Sequence, residues 1–374
     1  MLKTTRNIFL TLALSSTLFA SGQKSENELA LFGKSKTPQA TLPPQENING
    51  KQTGENPTPF NCLNKNSPYV FASFLYWANQ MTEGVVTSQS TPVGANGIAF
   101  ELKDKTLPTQ YNPGFKVGLG YTVKQGTWSP MVLWTYMHSS PSKTWTVADN
   151  SLICDFALPV TQNYQLPFSG NILPGANSVK ADWKLNFNSI DLEMGKSFVV
   201  SDDFAIRPFG CVKLACVNNK LEVNYSGIAS TTPLGATTWP DQKVTKENKA
   251  WLVGPRVGVN NYFKFVKDFG VVASVATSLL AVIDEPTIKA EVYAPSNSIF
   301  VPPGASVGNE QKRSETNIQP QFDLFLGFDW GHCFKNATYL NVALGYEMQW
   351  YAAVINAQQS LNMYGLTLDI LFDF

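Results

Sequence analysis

The sequence predicts an all-β protein: a transmembrane, antiparallel, up-and-down β-barrel of about ten strands. Twelve or more strands is the alternative if the long loops hold extra hairpins. Three observations lead there. Apolar and polar residues alternate with period 2 in segment after segment. The intervals between those segments run alternately long and short, as the outer loops and inner turns of a membrane barrel do. Tryptophans gather near segment ends, where a water–lipid boundary would lie.

The bulk numbers set the frame. The chain has 374 residues, 15% charged and 12% aromatic, with formal net charge zero. Without a basic excess to neutralise phosphates, nucleic acid is not an expected partner. The mean hydropathy is slightly negative, which argues against a helical membrane protein. Residues 1–21 read as a signal peptide. Lys3 and Arg6 precede an apolar run from Ile8 to Ala20, and Ala20, Ser21 and Gly22 are small residues near a cleavage point. That run is too short to span a bilayer. Residues 22–68, rich in Pro, Asn, Gln, Lys and Ser, are expected to form a flexible periplasmic lead-in. The barrel itself is expected over 69–374.

The strands follow in order. Tyr69 to Gln80 is apolar on both faces. Phe115, Val117, Leu119, Tyr121 and Val123 alternate with Lys116, Gly118, Gly120, Thr122 and Lys124. Trp128, Val132, Trp134 and Tyr136 form the next apolar face. Trp183 to Phe198 breaks phase near Asn188–Ser189, which suggests a bulge. Phe204, Ile206, Val212 and Leu214 oppose Arg207 and Lys213. Trp251, Val253, Val257 and Val259 oppose Arg256 and Asn260. Phe269 to Ile283 is nearly continuous in apolar residues, and Val271, Val272 and Val275 favour a strand over a helix. Phe322 to Trp330 opposes Asp323 and Asp329, and Leu340 to Trp350 opposes Glu347 and Gln349. In the last segment, Tyr364, Leu366, Leu368, Ile370, Phe372 and Phe374 oppose Asp369 and Asp373.

The long intervals are 81–112, 140–182, 217–248 and 284–318; the short ones fall near 125–126, 199–202, 263–267 and 332–336. This sorting places the short turns, and both ends of the barrel, in the periplasm. Trp128, Trp330, Phe372 and Phe374 are then expected at the inner rim, and Trp77, Trp183, Trp251 and Trp350 at the outer rim. Strand-like patches at 219–227 and 286–293 are the candidates for extra hairpins. A last strand that closes on Phe374 looks like the signal that barrel-assembly machinery reads.

Several stretches together resemble the Legionella-type major outer membrane protein family, which has relatives in environmental chlamydiae. They are FASFLYWANQMTEGV at 71–85, YNPGFKVGLGY at 111–121, WSPMVLWTYMHS at 128–139, GPRVGV at 254–259 and YGLTLDILFDF at 364–374. The likeness runs from the first strand to the last and leaves out 22–68. Where the family pattern has Trp-Asp at the third strand, this chain has Trp128–Ser129. The resemblance implies a porin-like, cysteine-bearing protein of the bacterial outer membrane and envelope networks that cysteines cross-link.

The alternation aims Lys116, Lys124, Arg207, Lys213 and Arg256 into the lumen from the first six strands. It aims Asp323, Asp329, Glu347, Asp369 and Asp373 inward from the last three. Closure would set a basic wall partly against an acidic one, a transverse field that orients polar solutes. The leading expectation is therefore passive diffusion of small polar solutes or ions, with outer-membrane lipid around the barrel and no cofactor. The alternatives are a non-conducting structural or adhesive surface protein, whose lumen salt bridges fill a narrow interior, and an outer-membrane hydrolase. Against the hydrolase, Asp202–Asp203 falls in an inner turn, and His138 beside Ser139 and Ser140 is the single Ser/His candidate.

Five cysteines and two histidines, with no CxxC pair, leave a zinc site without support. Cys211 and Cys216 lie on one strand, roughly 16 Å apart at ~3.3 Å per residue, beyond the ~7 Å bridging limit. Cys216 is a candidate partner for Cys154, and Cys62 for Cys333; Cys211 would be the odd thiol. Cys62 or Cys333 linking neighbouring chains into a homo-oligomer is the further expectation in an oxidising compartment.

Overall fold

A computed structural model describes residues 66–81, 85–93, 99–123, 128–148, 151–153, 175–232, 235–239, 241–293, 306–312, 314–334, 338–355 and 359–374. The expected signal peptide and nearly all of the lead-in, with Cys62, Lys124 and Cys154, lie outside the described residues.

Ten strands close a barrel: β1 (Ser67–Met81), β2 (Tyr111–Thr122), β3 (Trp128–Ser139), β4 (Gly175–Lys196), β5 (Phe204–Thr232), β6 (Asp241–Val266), β7 (Phe269–Tyr293), β8 (Glu315–Cys333), β9 (Tyr339–Ile355) and β10 (Gln359–Asp373). Each pairs antiparallel with its neighbours in sequence. The ring shuts where β1 pairs with β10, from Tyr69 opposite Asp373 to Met81 opposite Leu361. One more bond continues that seam, with Phe374 N–H donating to the Pro68 carbonyl at 3.3 Å. Closure leaves no unpaired edge, which is what lets a sheet stand in lipid.

The pleat sorts each strand into an outward and an inward face. On β10, Leu366, Ile370 and Phe372 are exposed while Gly365, Thr367 and Asp373 are buried. The exposed apolar band runs around the ring through residues such as Phe74, Leu119, Val132, Leu192, Leu214, Val253, Leu279, Leu324 and Leu344. These side chains meet lipid, so their exposure to water in the bare chain is not a destabilising feature.

The strands differ in height. β2 and β3 have 12 residues each, close to the ~9–11 that a tilted strand needs to cross the hydrocarbon. β4 has 22, β5 has 29, β6 has 26 and β7 has 25. Their surplus stands beyond the membrane on the long-loop side. There Val86, Ala176, Val179, Ala181, Val223, Tyr225, Ile228 and Val244 bury a second apolar core. The patches at 219–227 and 286–293 are therefore continuations of β5 and β7, not added barrel strands.

This geometry also corrects β4. It pairs with β3 and β5 without a register shift, so there is no bulge at Asn188–Ser189. Below that point the outward face is apolar (Ile190, Leu192, Met194) and the inward face polar (Ser189, Asp191, Glu193). Above it the outward face is polar (Lys184, Asn186) and the inward face apolar (Trp183, Leu185, Phe187). The hydrophobic pattern changes face at the membrane boundary while the backbone keeps its phase. Trp77 and Trp183 are corrected for the same reason. They are 0% and 2% exposed and point into the barrel, whereas Trp251 on the outer side and Trp128 on the inner side stand in lipid-facing positions, both exposed.

Candidate functional site

The lumen is the place where the sequence concentrates charge, and its lower half holds clusters of buried ion pairs. Lys116 on β2 reaches Glu347 on β9, with Nζ 2.6 Å from both carboxylate oxygens. Gln349 donates to the same carboxylate at 3.0 Å and Thr367 at 3.1 Å, and Trp77 Nε1 donates to Thr367 at 2.9 Å. The Lys116 ammonium also lies 5.1 Å from the Trp77 ring centroid. A charge this buried is tolerated because every partner is present; removing one would cost several kcal/mol.

A second group bridges β4, β5, β6 and β8. Arg207 pairs with Glu193 at 2.5 Å and donates to Ser129 Oγ at 2.9 Å. Arg256 stands 3.8 Å from the other Glu193 oxygen and 2.8 Å from Asp323. Gln321 hydrogen-bonds Asp323, and Ser278 donates to Gln321 at 2.6 Å. The Phe209 ring sits between the two guanidiniums, 6.0 Å from that of Arg207 and 5.1 Å from that of Arg256. Gly195 makes the room: a Cβ there would stand 2.4 Å from Arg207 Cζ. Lys213, 1% exposed, pairs with Asp191 at 3.3 Å. Asp369 accepts from Ser73, and Asp329 accepts from Asn341 at 3.1 Å.

Asp191 and Glu193 are the site residues that sequence reasoning missed. The supposed bulge hid their inward phase. Their presence on β4 interleaves acids among the basic strands, so the charges neutralise one another locally and the expected opposition of two walls is not what the lumen holds.

Above these clusters lies an apolar layer. Buried side chains from every strand except β2 and β8 meet there: Leu75, Trp77, Met137, Trp183, Leu185, Phe187, Val217, Leu252, Leu280, Tyr351, Val354, Leu361 and Met363 among them. The Phe187 and Tyr351 ring centroids are 5.6 Å apart. Their strands, β4 and β9, are five steps apart in either direction around the ring, so this contact crosses the barrel's full width. Ten-stranded barrels are near the size that side chains fill.

The other candidates are placed as follows. His138 is exposed, and its Nδ1 hydrogen-bonds the Asn186 amide oxygen at 2.7 Å. Ser139 is buried on the opposite face and receives a bond from Asn112 at 2.9 Å. Adjacent strand residues point to opposite sides, so His138 and Ser139 do not pair. Asp202–Asp203 occupies the tight turn before β5. His332 stacks on Trp330 with centroids 5.9 Å apart and lies 3.1 Å from Asp268. Cys211 and Cys216 are free thiols, which corrects the expected Cys154–Cys216 bond. Cys216 sits on the outward face directly opposite Trp251, at the lipid boundary. Cys211 faces the lumen, 3.8 Å from Asp191. Cys333 closes β8 at the short-turn rim.

A closed antiparallel barrel with a lipid-facing apolar band and a polar, charged interior defines a bacterial outer-membrane β-barrel protein. Residues 62–369 match the family described as the Legionella pneumophila major outer membrane protein precursor, and the chain belongs to that family. Its location is the bacterial outer membrane. No curated protein sequence matches it. Solved structures of similar shape include the outer membrane protease OmpT of Escherichia coli, 10% identical, with TM-score 0.41, over 82% of this chain and 96% of that one. The toluene transporter TodX of Pseudomonas putida is 6% identical, with TM-score 0.27, over 84% and 92%. A FadL homologue of Pseudomonas aeruginosa is 8% identical, with TM-score 0.26, over 85% and 92%.

Proposed function

We propose that this chain is a sealed structural barrel of the outer membrane that carries tall outer ribbons as a surface scaffold. The observation behind this reading is the Phe187–Tyr351 contact across the barrel, inside a buried layer drawn from nearly all its strands. Dispersion and burial hold such a layer together as they hold a soluble core. Passive diffusion of polar solutes, the leading expectation from sequence, would require that layer to part. The ion-pair clusters beneath fit the same role: they satisfy the polar inner face and tie β2 to β9 and β4 to β8. The reading is non-enzymatic, and includes insertion by barrel-assembly machinery and a homo-oligomer held by non-covalent contacts, since Cys333 is already disulfide-bonded within the chain.

Planar-bilayer recording on the purified full-length protein tests it. The expected result is a quiet membrane. Stable unitary currents that scale with salt would overturn the sealed reading and restore the diffusion pore. Amine-reactive cross-linking of isolated envelopes tests the homo-oligomer, where a clean monomer band would exclude it.

A further inference from the structure

Outside the barrel, one sector of the wall carries a cationic groove immediately above the lipid-facing band. We infer that this groove, on the outward face of β4 to β7, binds the phosphorylated headgroup of an outer-leaflet lipid. The strand register lays it out in rows. Lys184, Lys220, Glu247 and Thr287 stand opposite one another across the four strands. The next row down is Asn186, Asn218, Lys249 and Glu285, and the row below that is Asn188, Cys216, Trp251 and Ile283. The change from lysine and asparagine to tryptophan and isoleucine is the membrane boundary.

The groove measures about 830 Å³, and Lys312 also lines it. Lys249 and Lys220 lie two and four residue positions beyond the Trp251 row, about 7 and 13 Å along the strand at ~3.3 Å per residue. Strand tilt shortens that along the membrane normal. Lys249 therefore falls within the headgroup layer, which is ~5–8 Å thick on each side, and Lys220 stands at its outer edge. The Lys249 ammonium lies 5.5 Å from the Trp251 ring centroid, which holds it at that level.

Charge balance points to an anion. Four lysines line the groove against Glu247 and Glu285. Lys220 is committed to Glu222 at 2.9 Å and to Glu247 at 2.8 Å. Lys184 and Lys249 have no carboxylate partner within 4.0 Å among the described residues. Lys184 directly faces Lys220, and the carboxylates there, Glu222 and Glu247, are taken by Lys220, so Lys184 keeps no ion-pair partner of its own among the described residues. Asn186 and Asn218 add neutral donors, and the apolar rows below provide a surface for acyl chains. Elsewhere the ring carries aromatic pairs on its outward face. Tyr76 stacks on Tyr111 at 5.4 Å and Trp350 on Phe322 at 5.6 Å, an uncharged aromatic belt suited to any lipid.

Native mass spectrometry of the full-length, detergent-solubilised protein tests the inference, with diphosphorylated lipid A as the probe. Wild type is expected to retain the lipid through detergent exchange, and fully dephosphorylated lipid A to be lost. The Lys184→Gln, Lys249→Gln double variant should bind at least ~10-fold more weakly, since a lysine at a membrane surface contributes ~1 kcal/mol. Lys184→Arg, Lys249→Arg should retain binding, as should the remote Lys103→Gln, Lys143→Gln. Heat-modifiability on gels checks that each variant is folded. Equal retention of the dephosphorylated lipid, or unchanged binding by a folded glutamine variant, would overturn the inference. Full displacement of the lipid by an equal concentration of inorganic phosphate would assign the groove to a free anion and overturn the lipid reading.

Discussion

Phe187 and Tyr351 face each other from opposite walls of the barrel, their rings 5.6 Å apart and inclined at 60°. Both are fully buried. Truncating either to alanine should cost ~3–5 kcal/mol, because the surrounding walls are tied by backbone pairing and cannot collapse into the space. A double-mutant cycle should yield a coupling of ~0.5–1.5 kcal/mol for the aromatic pair. Urea titration of the folded, heat-modifiable gel band measures both. Strictly additive effects would mean that the rings do not touch in the folded protein.

Lys116→Ala strands the Glu347 carboxylate in the lumen and should cost ~3–5 kcal/mol. Lys116→Met combined with Glu347→Leu removes both charges and should recover most of that loss. The same titration decides: a double variant no more stable than Lys116→Ala would show that the pair is not the source of the effect.

The two free thiols among the described residues should react differently. Cys216 lies in the lipid-facing wall and Cys211 beside Asp191 in the lumen. A membrane-soluble maleimide should label Cys216 in the folded protein and reach Cys211 after unfolding, as read by peptide mass spectrometry. Labelling of Cys211 first would place the lumen open to reagents.

The outer ribbon should respond to pH at both extremes. Hydrogen bonds from Lys220 hold Glu222 below its ordinary 4.5, and bonds to Glu247 and Glu222 hold Lys220 above its ordinary 10.5. The depressed carboxyl stabilises the fold above its unfolded pKa, and that contribution is lost as pH falls through the folded one. The raised ammonium stabilises below its unfolded pKa, and is lost as pH rises through the folded one. Hydrogen exchange over 218–225, corrected for intrinsic rates, should therefore be slowest between these limits and faster at about pH 3 than at about pH 6. Equal protection at both would remove the ion cluster from the account.

All ten strands were readable in the chain because lipid forces one face of every strand to be continuously apolar. The limits of that signal lie where the solvent changes. On β4 the switch of apolar residues from Ile190 outward to Phe187 inward mimics a slipped register, and Asp191 and Glu193 were lost with it. Trp77 and Trp183 stand near the ends of the segments that alternation marks as strands, as girdle residues do, and parity alone did not separate them from Trp251. Lys116, Arg207, Lys213 and Arg256 were placed inward by alternation, but their partners were not. Alternation gives a residue its face, whereas the Lys116–Glu347 and Phe187–Tyr351 contacts depend on the barrel's diameter and on height along strands of unequal length.

The seam between β1 and β10 joins residues that are almost the whole barrel apart in sequence; Ser73 and Asp369 are separated by 296 positions. No partial product of the chain can make that join, since each earlier strand adds a neighbour and leaves two open edges. Loop closure over such a distance comes late and slowly. Until β10 arrives, the edge of β1 is a template for any extended chain nearby. The slow step in this protein's biogenesis is thus expected to be a zippering of first strand to last, and its hazard a pairing with the wrong molecule before the right strand is available.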